Sequence, residues 1–186
     1  YYVLTNADEL YWFAGLVNGT LPAGGSAVTG ANALLENDIV VNAGLLDTIL
    51  EDGVNIRQDY AALQRKWTPI GTYNGIFDGQ GHSISGLCIV EGSDGALFRE
   101  LNGATVKNLT VEDAYFRGNS VAGFATNMQG NTVLDRCGFI GVASSPFMRA
   151  GALIVNLSGG EVRNCYTRGA VSVEEKNQPS QTFSGG

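Results

Sequence analysis

Histidine and cysteine are scarce in this chain of 186 residues: His82 is the single histidine, and Cys88, Cys137 and Cys165 are the three cysteines. They form no CxxC pair, so a zinc site of Cys and His lacks both ligands and spacing. An odd count without a compact framework also argues against a disulfide scaffold. Basic residues are few, with Lys+Arg 11 against Asp+Glu 18 and a net charge of −7, and nowhere do they cluster. Nucleic-acid binding by counterion release needs such clusters, as does attraction to an anionic membrane surface, so neither is expected. No apolar stretch reaches the ~20 residues of a membrane span, so no membrane insertion is expected. No signal-peptide pattern is read at the start. The ends, Tyr1-Tyr2 and Ser184-Gly185-Gly186, suggest a piece of a longer mature protein.

Glycine is plentiful, at 26 residues, about twice the ~7% average share and without a collagen period. A hydrophobic share of 44% gives a chain of this length a sizeable core in one or two domains. The glycines mark a repeat. Gly95-Ala96-Leu97-Phe98, Gly123-Phe124-Ala125-Thr126 and Gly151-Ala152-Leu153-Ile154 begin 28 residues apart. Downstream the same period predicts three columns: Val106, Leu134 and Val162; Leu109, Cys137 and Cys165; Val111, Phe139 and Thr167. Short apolar runs at a fixed period, without a long helical pattern, predict an all-β fold in which each unit is one turn of a β-solenoid. Cys137 and Cys165 would then stack about 4.8 Å apart. They read as two reduced cysteines in an inward ladder, small hydrophobes in effect, with a disulfide as the alternative.

Ahead of the repeats, Thr5-Asn6-Ala7-Asp8-Glu9 offers a helix start, with an Asn or Thr cap and acids in the first turn. Leu10, Phe13, Ala14 and Val17 follow at i, i+3, i+4 and i+7, and Asn18-Gly19 ends the pattern. A solenoid's first turn would otherwise expose its apolar cross-section, so this amphipathic helix is the candidate N-terminal cap, with Tyr11 and Trp12 read as part of the core or its rim and a binding patch as the alternative. Residues 33–42 read as the first strand region. Residues 44–66 break the β pattern with a helical or irregular insertion, expected to pack against the cap. The chain thus divides at residue 66 into a cap with insertion (1–66) and a repeat array (67–186). Within the array, Ile84, Leu87 and Ile89 align with Val106, Leu109 and Val111 at a spacing of 22, which predicts a shorter first turn. Residues 174–181 read as a surface loop, and Phe183-Ser184-Gly185-Gly186 as a further repeat cut short.

Trp67-Thr68-Pro69-Ile70-Gly71, then Phe77-Asp78-Gly79-Gln80-Gly81-His82-Ser83-Ile84-Ser85-Gly86-Leu87, then Gly95-Ala96-Leu97-Phe98 and Val106-Lys107-Asn108-Leu109 resemble the GLUG-repeat proteins. The segment from Thr5 to Asn18 resembles the one that commonly precedes such arrays. The later repeats depart by lacking the second glycine, and 44–66 looks like an insertion relative to the family. The resemblance implies a right-handed parallel β-helix in secreted or wall-attached bacterial proteins, often adhesin-like. Some relatives carry an immunoglobulin-cleaving metallopeptidase, but its H-E-x-x-H motif is absent here, and no single activity attaches to the repeat.

Parallel β-helices also include polysaccharide-processing enzymes, and a glycosidase needs two carboxylates roughly 5 to 10 Å apart. The candidates are Asp78, Asp94, Glu112, Asp113, Asp135 and Glu161. Glu112 is expected in a column with Ile140 and Arg168, Asp113 with Gly141 and Gly169, and Asp135 with Lys107 and Arg163 in an outer charge ladder on a solvated face, with a lyase-like basic groove lined by Lys107, Arg136 and Arg163 as the alternative. Asp78-Gly79-x-Gly81-His82 suggests either an Asp–His pair or an Asx turn whose glycines supply positive φ. Asn108, Arg136 and Asn164 share a column, a partial hydrogen-bonding ladder at a corner. The N-x-[ST] triplets at Asn18, Asn108 and Asn156 carry meaning only in a host that glycosylates them. Tyr73, Phe116 and Tyr166 suggest at most a diffuse sugar-stacking surface. No catalytic, cofactor-binding or metal residue is assigned, and no cofactor is expected.

The expectation is a non-catalytic structural or adhesive segment of a secreted or cell-surface bacterial protein. Its partners would be a host or cell-surface glycan or protein and the other domains of its parent chain. The alternatives are a carbohydrate-binding module, with 44–66 as its specific surface, or a polysaccharide-processing enzyme. Convergence of two carboxylates, or of one with Arg or Lys, in a single cleft discriminates them.

Overall fold

The computed structural model describes residues 1–53 and 55–174. The loop expected at 174–181, beyond Glu174 itself, and the repeat start at 183–186 lie outside the described residues.

Helix α1 (Ala7–Asn18) forms where its pattern requires. The Asn6 side chain accepts from Glu9 N (3.0 Å), while the Glu9 carboxylate accepts from Thr5 N (2.6 Å) and Thr5 Oγ1 (2.8 Å), so orphan amides at the helix start are satisfied from both sides. Gly19, in the left-handed region at φ 68, ends it. Leu10, Phe13, Ala14 and Val17 are buried, with Phe13 edge-on to both Tyr73 and Phe77. Tyr11 and Trp12 do form a rim: Trp12 is half exposed beside Tyr2, and Tyr11 donates to Lys66 O and meets Trp67 edge-on.

Strands dominate the rest of the described residues, and outside residues 44–66 they pair in parallel. One sheet runs in the order Tyr2–Leu4, Ala33–Leu35, Ile76–Asp78, Thr105–Arg117, Val133–Ser145 and Glu161–Arg163, with Ile39–Val40, Ser83–Ser85, Cys88–Ile89 and Tyr166–Val173 continuing its length. A second contains Ile70–Tyr73, Phe98–Asn102, Ala125–Gln129 and Ile154–Leu157. A third, narrow one contains Asp94–Gly95, Ser120–Val121 and Arg149–Ala150. The chain visits the three in turn and then returns to the first. Residues from all three, and from α1, share one apolar core extending from Leu4 to Ala143.

Two of the predicted columns on the first sheet are observed whole and one in part: Val106 pairs with Leu134 and Leu134 with Val162; Val111 pairs with Phe139 and Phe139 with Thr167; Leu109 pairs with Cys137, while Cys165 falls between the paired stretches Glu161–Arg163 and Tyr166–Val173. Cys137 is buried, Cys165 partly so, and both are free thiols packed on the core. Burial pushes the Cys137 thiol up to about 12.

Three register expectations need correction. The glycine tetrads do not share a column, because Gly95 pairs with Val121, Phe98 with Ala125, and Ala125 with Ile154. The first sheet also carries a bulge: the pairing passes from Glu112–Ile140 directly to Ala114–Gly141, leaving Asp113 out at φ 47. Asp113 therefore does not pair with Gly141 either. Nor is the first turn short. Phe77 pairs with Val106, Ile84 with Val111 and Ile89 with Phe116, so the circuit has the length of the later ones and its apolar residues simply sit at other steps. The strand Tyr2–Leu4, parallel to Ala33–Leu35, had no signal long enough to read.

The insertion 44–66 holds helix α2 (Leu45–Ile49), an antiparallel pair Leu50–Glu51 with Asn55–Ile56, and helix α3 (Gln58–Leu63). Its apolar side packs on the flank of the sheets rather than on α1, since Leu45, Ile49, Leu50 and Ala61 cluster with Cys88 and Tyr115. Only its end reaches α1, where Arg65 pairs with Asp8 (2.8 Å) and lies over the Tyr11 ring.

Candidate functional site

The acids singled out in the sequence divide into corner supports and cleft residues. At one corner Gln80, Asn108, Arg136 and Asn164 all adopt left-handed φ between 51 and 55. Asparagine tolerates that conformation well, which explains its recurrence there. The ladder runs through aspartates as well as asparagines. Asn108 Nδ2 donates to Asp78 Oδ1 (3.0 Å), Arg136 Nε to Asn108 Oδ1 (2.7 Å), and Asn164 Nδ2 to Asp135 Oδ1 (3.0 Å). Lys107 pairs with Asp78 (3.0 Å), and Arg136 and Arg163 with Asp135 (3.0 and 3.3 Å). Asp78 and Asp135 are buried, so this is no loose surface ladder.

Burial alone would raise the Asp78 carboxyl, but donation from Asn108, Gln80 N and Lys107 outweighs it and holds the group below the usual carboxylate range. Asp135 is likewise held low, chiefly by the Asn164 amide and then by Arg163 and Arg136. With folded-state values below an unfolded reference of about 3.9, the folded state binds fewer protons than the unfolded across that interval. The stabilisation is therefore complete above the unfolded value and is lost as pH falls through it to the folded one. Urea midpoints are expected to drop from about pH 5 downward, and Asp135→Asn to be less stable at pH 7 with a flatter acid limb. An Asp135→Asn protein that keeps the wild-type slope would remove Asp135 from the account.

The Asp78–His82 pairing does not occur. Asp78 accepts from Gln80 N (3.0 Å) in an Asx turn, while His82 Nδ1 lies 3.3 Å from Asp38 Oδ1, which also accepts from Ser83 N. Gly79 differs from the expectation too: its φ is not positive, and it is glycine because an added Cβ would lie 2.6 Å from Leu109 Cα in the next circuit. Asp113 accepts from Leu45 N (2.6 Å) and Leu46 N (2.9 Å), holding the start of α2. Glu112 follows its predicted column with Ile140 and Arg168, and Glu161 is exposed against Arg163. The aromatics do not share a surface, because Tyr73 and Phe116 are fully buried while Tyr166 is half exposed with its hydroxyl 3.3 Å from Thr110 Oγ1. The asparagines of the three N-x-[ST] triplets are all hydrogen-bonded to other segments.

One of the candidate acids, Asp94, lines an open cleft of about 550 Å³. Its apolar wall includes Val17, Trp67, Pro69 and Ile89; its charged rim is Glu91, Asp94 and Arg99. Glu91 and Arg99 were not singled out in the sequence, where each is one charge among many; only folding brings them to the same cleft. Their supports are rigid. Asn18 Nδ2 donates to Pro69 O (3.2 Å) and its Oδ1 accepts from Gly71 N (2.6 Å), tying α1 to the cleft wall. Asn119 N donates to Gly92 O (3.1 Å) and Ser120 N to Ser93 O (2.9 Å), fixing the loop that carries Glu91 and Asp94. Leu97 O accepts from Ile70 N (3.0 Å) and Trp67 Nε1 (3.3 Å) just before Arg99. Among the described residues neither Glu91 nor Arg99 makes a side-chain hydrogen bond or ion pair, whereas Asp94 accepts from Ser93 Oγ.

No group of His, Cys, Asp and Glu among the described residues is placed to hold a metal ion, and no helix among them is long and apolar enough to cross a membrane. No family model matches this chain, and no match is found among curated proteins or solved structures.

Proposed function

We propose that this chain is a right-handed parallel β-helix capped by α1, and that it serves as a non-catalytic structural and adhesive segment of a secreted or cell-surface bacterial protein of the GLUG-repeat kind. The observation that carries this reading is the parallel register on the first sheet, where Ala33, Phe77, Val106, Leu134 and Val162 pair in succession. The handedness rests on the strong bias of parallel crossovers toward the right hand. Such a stack turns sequence into length at about 4.8 Å per circuit, with a core that continues through every added unit. That suits a stalk that holds other domains of its parent chain away from a surface while its outer face meets a glycan or protein. The deepest acids support the non-catalytic side: Asp78 and Asp135 are committed to the corner ladder.

The test is to duplicate residues 106–133 in tandem. Small-angle scattering is expected to show a maximum dimension longer by about 5 Å, with unfolding still cooperative; an unchanged dimension overturns the stalk. Glu91 and Asp94 on one cleft favour a second reading, a polysaccharide-processing enzyme, which predicts release of reducing ends from polysaccharide that Glu91→Gln abolishes.

A further inference from the structure

The cleft beside Trp67 does not end there. A second depression of about 520 Å³ runs along the outer side of α1 past Tyr11 and Trp12, and the two share Asn18, Trp67 and Thr68. They adjoin at these residues in a groove of mixed lining, one part of which holds the half-exposed indole of Trp12 and the other the Glu91–Asp94–Arg99 rim.

From this groove we infer a binding site for a short, uncharged, hydroxyl-rich saccharide. The inference rests on the adhesive half of the reading above and names both its ligand class and its place. The rim carries acceptors and a donor, and Glu91 and Arg99 satisfy neither each other nor any neighbour among the described residues. A sugar hydroxyl both donates and accepts, so vicinal hydroxyls answer carboxylate and guanidinium together. A polyanion would meet two carboxylates against one guanidinium on a protein of net charge −7, and a polycation would meet Arg99 within the same rim. An uncharged ligand meets neither cost.

The apolar part of the lining, Val17, Trp67, Pro69 and Ile89, suits the C–H faces of sugar rings. Trp12 offers a flat ring whose position is set by Tyr2, at a centroid distance of 5.4 Å. The groove's two parts fall within the size of small-molecule sites, which combine a largely apolar lining with a few placed polar groups. Both walls are pinned by the hydrogen bonds of Asn18 and of the 91–94 loop, so little ordering entropy is lost on binding. No described residue of the insertion 44–66 lines either part of the groove.

Calorimetric titration with hexasaccharides tests the site, using neutral gluco-, manno-, galacto- and N-acetylglucosamine series and an oligogalacturonate as the anionic probe. At least one neutral series is expected to bind. Glu91→Ala and Arg99→Ala are each expected to weaken it tenfold or more, with Arg168→Ala, remote on Tyr166–Val173, as the unaffected control. Circular dichroism checks that each variant is folded. Absence of binding by every neutral series, preference for the oligogalacturonate, or equal binding by wild type and both rim variants each overturns the site. The stalk reading is judged separately, by the length measurement.

Discussion

Leu109→Asp is expected to destabilise the protein by about 4 kcal/mol or more, enough to populate the unfolded state at room temperature in a domain of ordinary stability. Leu109 is 1% exposed and sits in the first sheet opposite Cys137, with Gly79 of the preceding circuit against its backbone. The substitution removes a buried isobutyl group, costing about 2–5 kcal/mol by itself, and puts a carboxylate where no described group is placed to pair with it. Urea unfolding followed by circular dichroism checks the result, with Leu109→Ala as the cavity-only control that should lose less. A Leu109→Asp protein with an unchanged midpoint would mean that this column faces outward, and the register of the whole first sheet would fall with it.

Gly86→Ala should cost about 3 kcal/mol, from two sources that add. Gly86 has φ 79, where a Cβ is strained by about 1–2 kcal/mol. A Cβ there would also lie 2.6 Å from Asn42 N and 2.7 Å from Asn42 C, backbone that cannot rotate away. Asn42 is the clasp of the insertion. Its Nδ2 donates to Gly86 O (2.8 Å) and Arg65 O (2.9 Å), and its Oδ1 accepts from Arg65 N (2.8 Å), so one side chain joins both ends of 44–66 to the sheet. Pushing Asn42 aside is expected to speed amide exchange through α2 and α3 before it affects Val106 or Leu134. Exchange that rises uniformly across the chain, or a midpoint matching wild type, would refute the clasp.

Much of this architecture was legible in local pattern. Helix α1 announces itself through a capping pair, a four-residue apolar stripe and a terminal glycine, all within fifteen residues of one another. The columns through Val106, Leu109 and Val111 could be read because a 28-residue period brings like residues to like positions on the first sheet. The corner was visible as recurring Asn, for the left-handed conformation there is a property of a single residue. Each of these is a short-range matter, settled by the chain's own torsions and side-chain periodicity.

The three-dimensional arrangement decided what depends on how loops of unequal length close. Turns of unequal length move the second and third sheets out of the register that the glycines suggest, and the bulged Asp113 on the first sheet serves as the anchor for α2. The turn at Gly79–Gly81 shifts the apolar residues of the first circuit relative to the next, so that matching triads by spacing alone pairs the wrong ones. Glu91 and Arg99 look unremarkable in sequence, Asp94 is one candidate acid among six, and Asn18 reads as the end of a helix and the start of an N-x-[ST] triplet. They become one groove because the strand pairing brings the loop after Ile89, the start of Phe98–Asn102 and the end of α1 to the same side of Trp67. Periodicity fixes which side chains face the core; the lengths and kinks between the strands fix which of the remaining ones meet.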